Sequence, residues 1–307
     1  MKAIQYHAFG GSEVMKVVEI PSPEITQWNE VLIKVKAASV NPLDMKIRQG
    51  FMQKMRPVEL PFTPGLDAAG VVEAIGENVT SVKVGDEVIA ATMGKAYAEY
   101  VVANENLVAK KPNNISFEEA TSLAVNIGTA ETILFTEGKL AAGQKVLIQG
   151  AAGAVGLTMV QMAKERGLYV IATASGKGVD LVKSLGADEV IDYKTQDVAA
   201  LVQDVDVVAD CAGGEAQLAL YGVLKSGGKL LTIAGFPSAE LAAKYGVDAR
   251  FISSDLSAKS LANGLALVAT GKLKPFVTKT FNLEEAAAAQ DFVSAGGVNG
   301  KVVLIVN

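Results

Sequence analysis

The 307-residue sequence has one cysteine, Cys211, and one histidine, His7. Protein zinc sites are ordinarily built from several Cys and His side chains, so no metal site is expected here. A single cysteine also excludes an internal disulfide and suits a reducing compartment. A Ser-His-Asp or Cys-His mechanism would have to run through His7, which reads instead as a strand-end side chain. Clusters of Lys and Arg are missing too. With a formal net charge of -5 and a pI near 5.2, nucleic acid is not an expected partner. Long hydrophobic runs are absent as well. Mean hydropathy is high at +0.30, yet the longest uncharged stretch, Val146 to Ala163, carries Gly150, Gly153, Gly156 and two glutamines. That is a turn between strand and helix, not a membrane span. Met1-Lys2-Ala3-Ile4-Gln5 reads as a strand and not as a signal peptide. The expectation is a soluble, cytoplasmic protein.

At roughly 150 residues per domain the length suggests two domains, and 50% apolar residues are enough for two cores. Residues 1–120 are β-rich: Val31–Ala37, Gly70–Gly76, Val84–Ala90 and Tyr97–Val102 are short strands punctuated by Gly and Pro, which suggests a compact, partly closed β domain. The texture then changes. Ser116-x-x-Glu119 is a capping box, and a helix is expected over Ala130–Glu137. Strands at Lys145–Gln149, Tyr169–Thr173, Glu189–Asp192, Val205–Asp210, Lys229–Ala234 and Arg250–Ser253 alternate with helices reaching about Arg166, over Gly178–Leu185, over Glu215–Leu224 and over Ser257–Thr270. This alternation predicts an α/β fold with a doubly wound parallel sheet. Phe276–Phe281, a helix over Leu283–Ala295 and Val302–Val306 are too little for a third domain. They are expected to return to the first, giving 1–122 and 265–307 as one domain and 123–264 as an insertion.

The most informative segment joins the strand Lys145–Gln149 to Gly150-Ala151-Ala152-Gly153-Ala154-Val155-Gly156 and an apolar helix. Bare backbone at a helix N-terminus lets a pyrophosphate approach N–H groups where the helix dipole favours an anion. In register with G-x-G-x-x-G the first glycine is replaced by Ala151. Gly150, Ala151, Gly153, Ala154, Val155 and Gly156 are the expected phosphate cradle; the bland alternative is a tight structural turn. An NAD site usually places Asp or Glu roughly 20 residues on, at the end of the next strand, to bind the ribose 2′-hydroxyl. That end reads Ile171-Ala172-Thr173-Ala174-Ser175-Gly176-Lys177, with Ser175 19 residues past Gly156. A hydroxyl and a cation suit a 2′-phosphate, so Ser175 and Lys177 favour NADPH. Ala212 and Ala234, after the next two long strands, complete this expected set.

Ala38-Ser39-Val40-Asn41-Pro42-Leu43-Asp44-Met45-Lys46-Ile47-Arg48-Gln49-Gly50, Pro64-Gly65-Leu66-Asp67-Ala68-Ala69-Gly70, Gly150 to Gly156, Ser184-Leu185-Gly186-Ala187-Asp188 with Ile191-Asp192-Tyr193, and Gly300-Lys301-Val302-Val303-Leu304 together carry a resemblance. Across essentially its whole length the chain resembles the zinc-independent medium-chain dehydrogenases/reductases, in the branch of quinone oxidoreductases (zeta-crystallin-like) and enone or alkenal reductases. The resemblance implies a GroES-like catalytic domain, a Rossmann domain and an active site in the cleft between them. It places Asn41 where zinc-dependent relatives have Cys, and Leu66 where they have His. It implies that Asn41 approaches the nicotinamide, that Thr129, Gly300 and Lys301 line the cofactor's path, and that Tyr193 packs near the 2′-phosphate. Many quinone reductases carry Tyr where this chain has Lys46, whereas the enone branch often carries Lys. Hydride addition to the β-carbon of an enone pushes negative charge onto the carbonyl oxygen, and a cation there stabilises it. Lys46 is therefore the expected catalytic partner of Asn41, against the plain reading of a surface lysine in a loop. Asp67 reads as a positioning group for the loop that holds Asn41, and Cys211 as a buried small hydrophobe.

The expected function is NADPH-dependent hydride transfer to an α,β-unsaturated carbonyl or a quinone, without zinc. The alternatives are a quinone reductase proper, a non-catalytic NADPH-binding homologue and, least of all, a zinc alcohol dehydrogenase. The partner is a small-molecule enone or quinone. The loop Phe51–Leu60, with Phe51, Met52 and Met55, is expected to border its pocket. Relatives are commonly dimers through edge strands, for which Lys229–Ala234 and Arg250–Ser253 are the candidates.

Overall fold

In the computed structural model, which describes residues 1–307, the chain forms two compact units. The first comprises Met1–Val125, Leu256–Leu265 and Pro275–Asn307; the second comprises Asn126–Asp255 and Ala266–Lys274. The bounds expected from sequence differ chiefly within the helix Ala258–Ala269, which divides after Leu265.

The spine of the first unit is the strand Glu30–Val40. Val31, Ile33 and Val35 are buried at alternate positions, as a strand with one face on a core requires. One edge pairs with Asp67–Ile75. The first half pairs with Tyr100–Asn104 and the second half with Lys301–Ile305, all antiparallel. Register shifts between Leu32 and Ile33 and between Val35 and Ala37 mark bulges that bend such a strand. Val277–Asn282 continues the sheet beyond Lys301–Ile305, and Glu87–Ala91 and Val108–Lys110 continue it beyond Asp67–Ile75. Ile4, Tyr6, Val31, Ile33, Tyr97, Val302 and Leu304 lie in its core.

The second unit has a six-stranded parallel sheet. Counted in chain order, its strands lie third, second, first, fourth, fifth, sixth: Glu189–Asp192, Tyr169–Ala174, Lys145–Gln149, Val205–Asp210, Leu224–Thr232 and Asp248–Phe251. This is the Rossmann order, which reverses direction between the first and fourth strands. Lys145–Gln149 and Val205–Asp210 are almost wholly buried, as central parallel strands are. The glycine turn leaves the first strand at the reversal point. No helix of the chain is long and apolar enough to cross a membrane.

Several elements differ from the sequence reading. Lys46 lies in a helix, Pro42–Arg48, not a loop. Asn41 caps it in extended conformation, and Pro42 takes the first helical position, where its missing N–H is harmless. The helix expected over Ala130–Glu137 begins earlier, at Ala124–Glu131, and widens into a π-helical stretch, Thr132–Glu137. Of Glu215–Leu224 only Gly214–Leu218 forms an α-helix. Leu224 opposite Val205 already belongs to a strand, which therefore starts five residues before the expected Lys229 and ends at Thr232, ahead of Ala234. The helix Ala239–Tyr245 has no counterpart in the sequence reading, although Ser238 accepts from Leu241 N–H and left-handed Gly246 closes the helix, both ordinary signals.

Candidate active site

Three neighbouring strands of the first unit bring a polar group to one end of the sheet. Val40 opposes Val302 and Ser39 opposes Val303, so continuing the antiparallel register places Asn41 across from Lys301. Ala38 opposes Ala68, which places Ser39 across from Asp67. Side chains two apart on a strand share a face, so Ser39, Asn41, Asp67 and Lys301 meet. Lys301 Nζ donates to Asn41 Oδ1 at 2.5 Å. Ser39 Oγ donates a short hydrogen bond to Asp67 Oδ1. Asn41 Nδ2 lies 3.3 Å from Ser39 Oγ and 3.4 Å from Asp67 Oδ1. Gly300 makes the entry possible: its φ is +116°, and a Cβ there would lie 2.6 Å from the Phe276 carbonyl.

Asp44 stands behind this group, on the buried face of the helix Pro42–Arg48. It accepts from the N–H groups of Asn41 (2.9 Å) and Gly65 (3.1 Å), with the Tyr97 hydroxyl at 3.4 Å. Burial, helped by the Asp67 charge, outweighs those donors and raises its carboxyl to about 7. Burial also raises the Asp67 carboxyl and lowers the Lys301 ammonium. Burial in this dry site thus pushes all three groups towards their uncharged forms, against the pull of their opposite charges on one another.

The second unit supplies a different kind of site. Gly150, at φ +76°, turns the chain out of the first strand; its N–H donates to Thr173 Oγ1 and that of Ala151 to the Thr173 carbonyl. The helix Ala154–Glu165 follows, capped by Gly153 with no side chain over its first turn. The N–H groups of Ala154, Val155 and Gly156 therefore have no acceptor within the helix. A Cβ on Gly156 would lie 2.5 Å from the Gly150 carbonyl oxygen, so this glycine permits the helix to pack against the turn. Beside the turn, Cys211 and Ala212 approach Gly150, and Gly213 approaches Ala234. Asp210 holds that region, accepting from Ala212 N–H, Gly213 N–H, Gln217 and Thr232. At the end of the neighbouring strands, Asp192 opposes Ala174, so Ser175 and Tyr193 follow side by side. Ser175 Oγ lies 3.1 Å from Tyr193 OH.

The structure thus joins Asn41 with Lys301, the glycine turn with Ala212 and Ala234, and Ser175 with Tyr193. Tyr193 is exposed. Lys177 begins the next helix and is exposed. Thr129 Oγ1 shares a hydrogen bond with Ser254 Oγ at 2.8 Å. Ala151 is fully buried, with its N–H taken by the Thr173 carbonyl and its Cα and carbonyl packed against Gly156. Lys46 is set apart: the buried face of its helix carries Asp44, Met45, Ile47 and Arg48, and its half-exposed side chain makes no hydrogen bond. Cys211 is half-buried, with burial raising its thiol to about 12. His7 is exposed. Sequence reasoning gives no site role to Ser39, Asp44 or Tyr97; Asn41-x-x-Asp44 is a capping-box signal for Asp44, whereas nothing local marks Tyr97.

Residues 27–113 match the alcohol dehydrogenase GroES-like domain, and residues 185–304 match the zinc-binding dehydrogenase family. The quinone oxidoreductase of Sus scrofa is 34% identical over 99% of this chain and 98% of its own. The chain belongs to the quinone oxidoreductase branch of the medium-chain dehydrogenases/reductases. Within that branch, the chloroplastic NADPH-dependent alkenal/one oxidoreductase of Arabidopsis thaliana is 38% identical over 99% of this chain and 79% of its own. Among solved structures, the Escherichia coli quinone oxidoreductase complexed with NADPH superimposes with a TM-score of 0.89 at 26% identity, covering 99% of this chain and all of that one. The zinc in one matched family's name finds no suitable donors here. Leu66 offers no donor atom, Asn41 Oδ1 already holds a lysine ammonium, and no three His, Cys, Asp or Glu side chains group to hold a metal.

Proposed function

We propose that this oxidoreductase uses NADPH to reduce the C=C bond of an α,β-unsaturated ketone or aldehyde, without zinc. The observation that carries the cofactor choice is the Ser175–Tyr193 hydroxyl pair, with Lys177 nearby in sequence, where an NAD site has a carboxylate. Two hydroxyls and an exposed ammonium suit the extra phosphate. The uncapped N–H groups of Ala154, Val155 and Gly156 suit the pyrophosphate, with Gly150, Gly153, Ala212 and Ala234 as lining. Thr129, Asn41, Gly300 and Lys301 are assigned to the nicotinamide end. When bound, NADPH supplies the hydride; the protein supplies orientation and charge.

The enone reading is favoured over quinone reduction by the lysine at position 46 and by likeness to an alkenal/one oxidoreductase. Lys46 serves as an entry-side cation. Half-exposed, it attracts and orients a carbonyl, but a solvated ammonium contributes little to a developing charge. Quinone reduction is the second reading, supported by likeness to quinone oxidoreductases. A cytoplasmic homodimer completes the proposal. Of the two candidate strands only Asp248–Phe251 is an edge, and it carries Phe251 5.2 Å from the ring of exposed Phe236; light scattering coupled to gel filtration tests the dimer. Steady-state NADPH oxidation against a panel of enones, enals and quinones tests the function. Fastest turnover with enones or enals is expected. Tight NADPH binding with no turnover on any acceptor makes the chain a binding homologue and ends the enzyme reading.

A further inference from the structure

Lys301 is unusual among the lysines of this chain. It is 4% exposed, and an ammonium has three N–H donors. One goes to Asn41 Oδ1 at 2.5 Å. The other two have no acceptor in the protein, and no carboxylate lies within 4.0 Å of the nitrogen. A buried cation without a contacting counter-ion or full hydrogen bonding is costly. Asp67 and Asp44 offset its charge only from beyond contact. The bond to Lys301 also fixes the Asn41 amide: Oδ1 faces the lysine, and Nδ2 faces Ser39 and Asp67 along one N–H direction, leaving its second N–H without a partner. Within the group, Ser39 and Asp67 are 0% exposed, whereas Asn41 and Lys301 each keep 4%. The two residues that keep some exposure each bring a donor, the Lys301 ammonium and the Asn41 amide N–H.

We propose that Lys301, with the free N–H of Asn41, binds the carbonyl oxygen of the acceptor and stabilises the negative charge that forms on it. This rests on the function proposed above and assigns its central electrostatic role to Lys301 instead of Lys46. The step balances simply. Hydride adds to the β-carbon, the C=C pair moves to join the α- and carbonyl carbons, and the carbonyl π pair becomes the oxyanion. A proton from water then closes on the α-carbon, giving the saturated carbonyl compound. A donor fixed before reaction in a dry site stabilises that oxygen far more strongly than a solvated one, and Lys301 is dry where Lys46 is not.

The test uses the full-length enzyme with 2-cyclohexen-1-one, and butyrate as an unreactive oxyanion. K301M is expected to lower kcat by about 100- to 1000-fold, as loss of an oxyanion-hole donor does. Inhibition by butyrate should weaken at least about tenfold, while NADPH affinity, read from NADPH fluorescence, should fall at least about tenfold less than turnover does. K301R should recover part of the lost turnover and K301Q none. K46M should lose less than about tenfold. Because K301M leaves two buried carboxyls without their cation, K301M/D67N is read against D67N alone, and a further loss of turnover in the folded double variant carries the same meaning. The proposal is overturned if folded variants lacking the lysine keep kcat within about tenfold of wild type, if NADPH affinity falls in step with turnover, or if K46M shows the larger loss. Failure of wild type on every enone and quinone defeats the parent reading instead. Calorimetric butyrate binding to wild type and K301M then still decides whether Lys301 holds an oxyanion.

Discussion

Asp44→Asn isolates the buried charge behind Asn41. The Asp44 carboxyl titrates at about 7 in the folded chain against an ordinary 3.8. The folded state therefore binds the proton more tightly than the unfolded one. Its contribution to stability is fully present below pH 3.8 and is lost as pH rises towards 7. At about 1.4 kcal/mol per pH unit over a span of about three units, the loss is about 4 kcal/mol. The amide of the variant carries no titrating proton, so this slope should vanish. Loss of one backbone acceptor shifts its whole curve down by about 1–3 kcal/mol without tilting it. The assay is urea unfolding between pH 5 and 8, followed by the emission of Trp28, the only tryptophan, which lies in the same unit as Asp44. Other carboxyls titrate in both proteins, so the readout is the difference between wild type and variant. Between pH 5 and 8 the midpoint of wild type should fall relative to D44N. Parallel curves would refute the picture of a proton-holding Asp44.

Three further outcomes follow from the geometry. Gly156→Ala forces a methyl to within 2.5 Å of the Gly150 carbonyl oxygen; overpacking of that kind costs about 1–3 kcal/mol, and thermal melts and fluorescence titration should show a lower Tm and weaker NADPH binding. Ser175→Asp puts a carboxylate beside the Tyr193 hydroxyl, so the ratio of kcat/KM for NADPH over NADH should drop at least about tenfold, or 1.4 kcal/mol. Lys46→Ala should raise the KM for the enone a few-fold while leaving NADPH affinity unchanged, as expected of a solvated cation.

Most of the second unit is legible in the sequence because its signals are local. Lys145–Gln149, Glu189–Asp192 and Val205–Asp210 fall where their apolar runs and flanking glycines put them, and Gly153 opens the helix as the glycine spacing implies. The Glu215–Leu224 run misleads because tertiary pairing of Leu224 with Val205 overrides a helix-like composition. The first-unit cluster is harder to see. Lys301 and Asn41 are 260 positions apart and meet only through strand register, which no local pattern encodes. Lys46 draws attention because its side chain is chemically apt and close to Asn41 in sequence. Five residues along a helix, however, turn it away from the buried face. Tyr97 reaches Asp44 from a separate segment across 53 positions, and a tyrosine among apolar neighbours reads simply as core.

Hydride delivery to carbon at a conjugated carbonyl is the core of the proposed function. Reducing an enone with NADPH deuterated at the transferable position, and locating the label in the product, reads that step itself. The expected product is a saturated ketone with one deuterium on the β-carbon and a solvent proton on the α-carbon. A product without carbon-bound deuterium, or turnover confined to quinones, would contradict it.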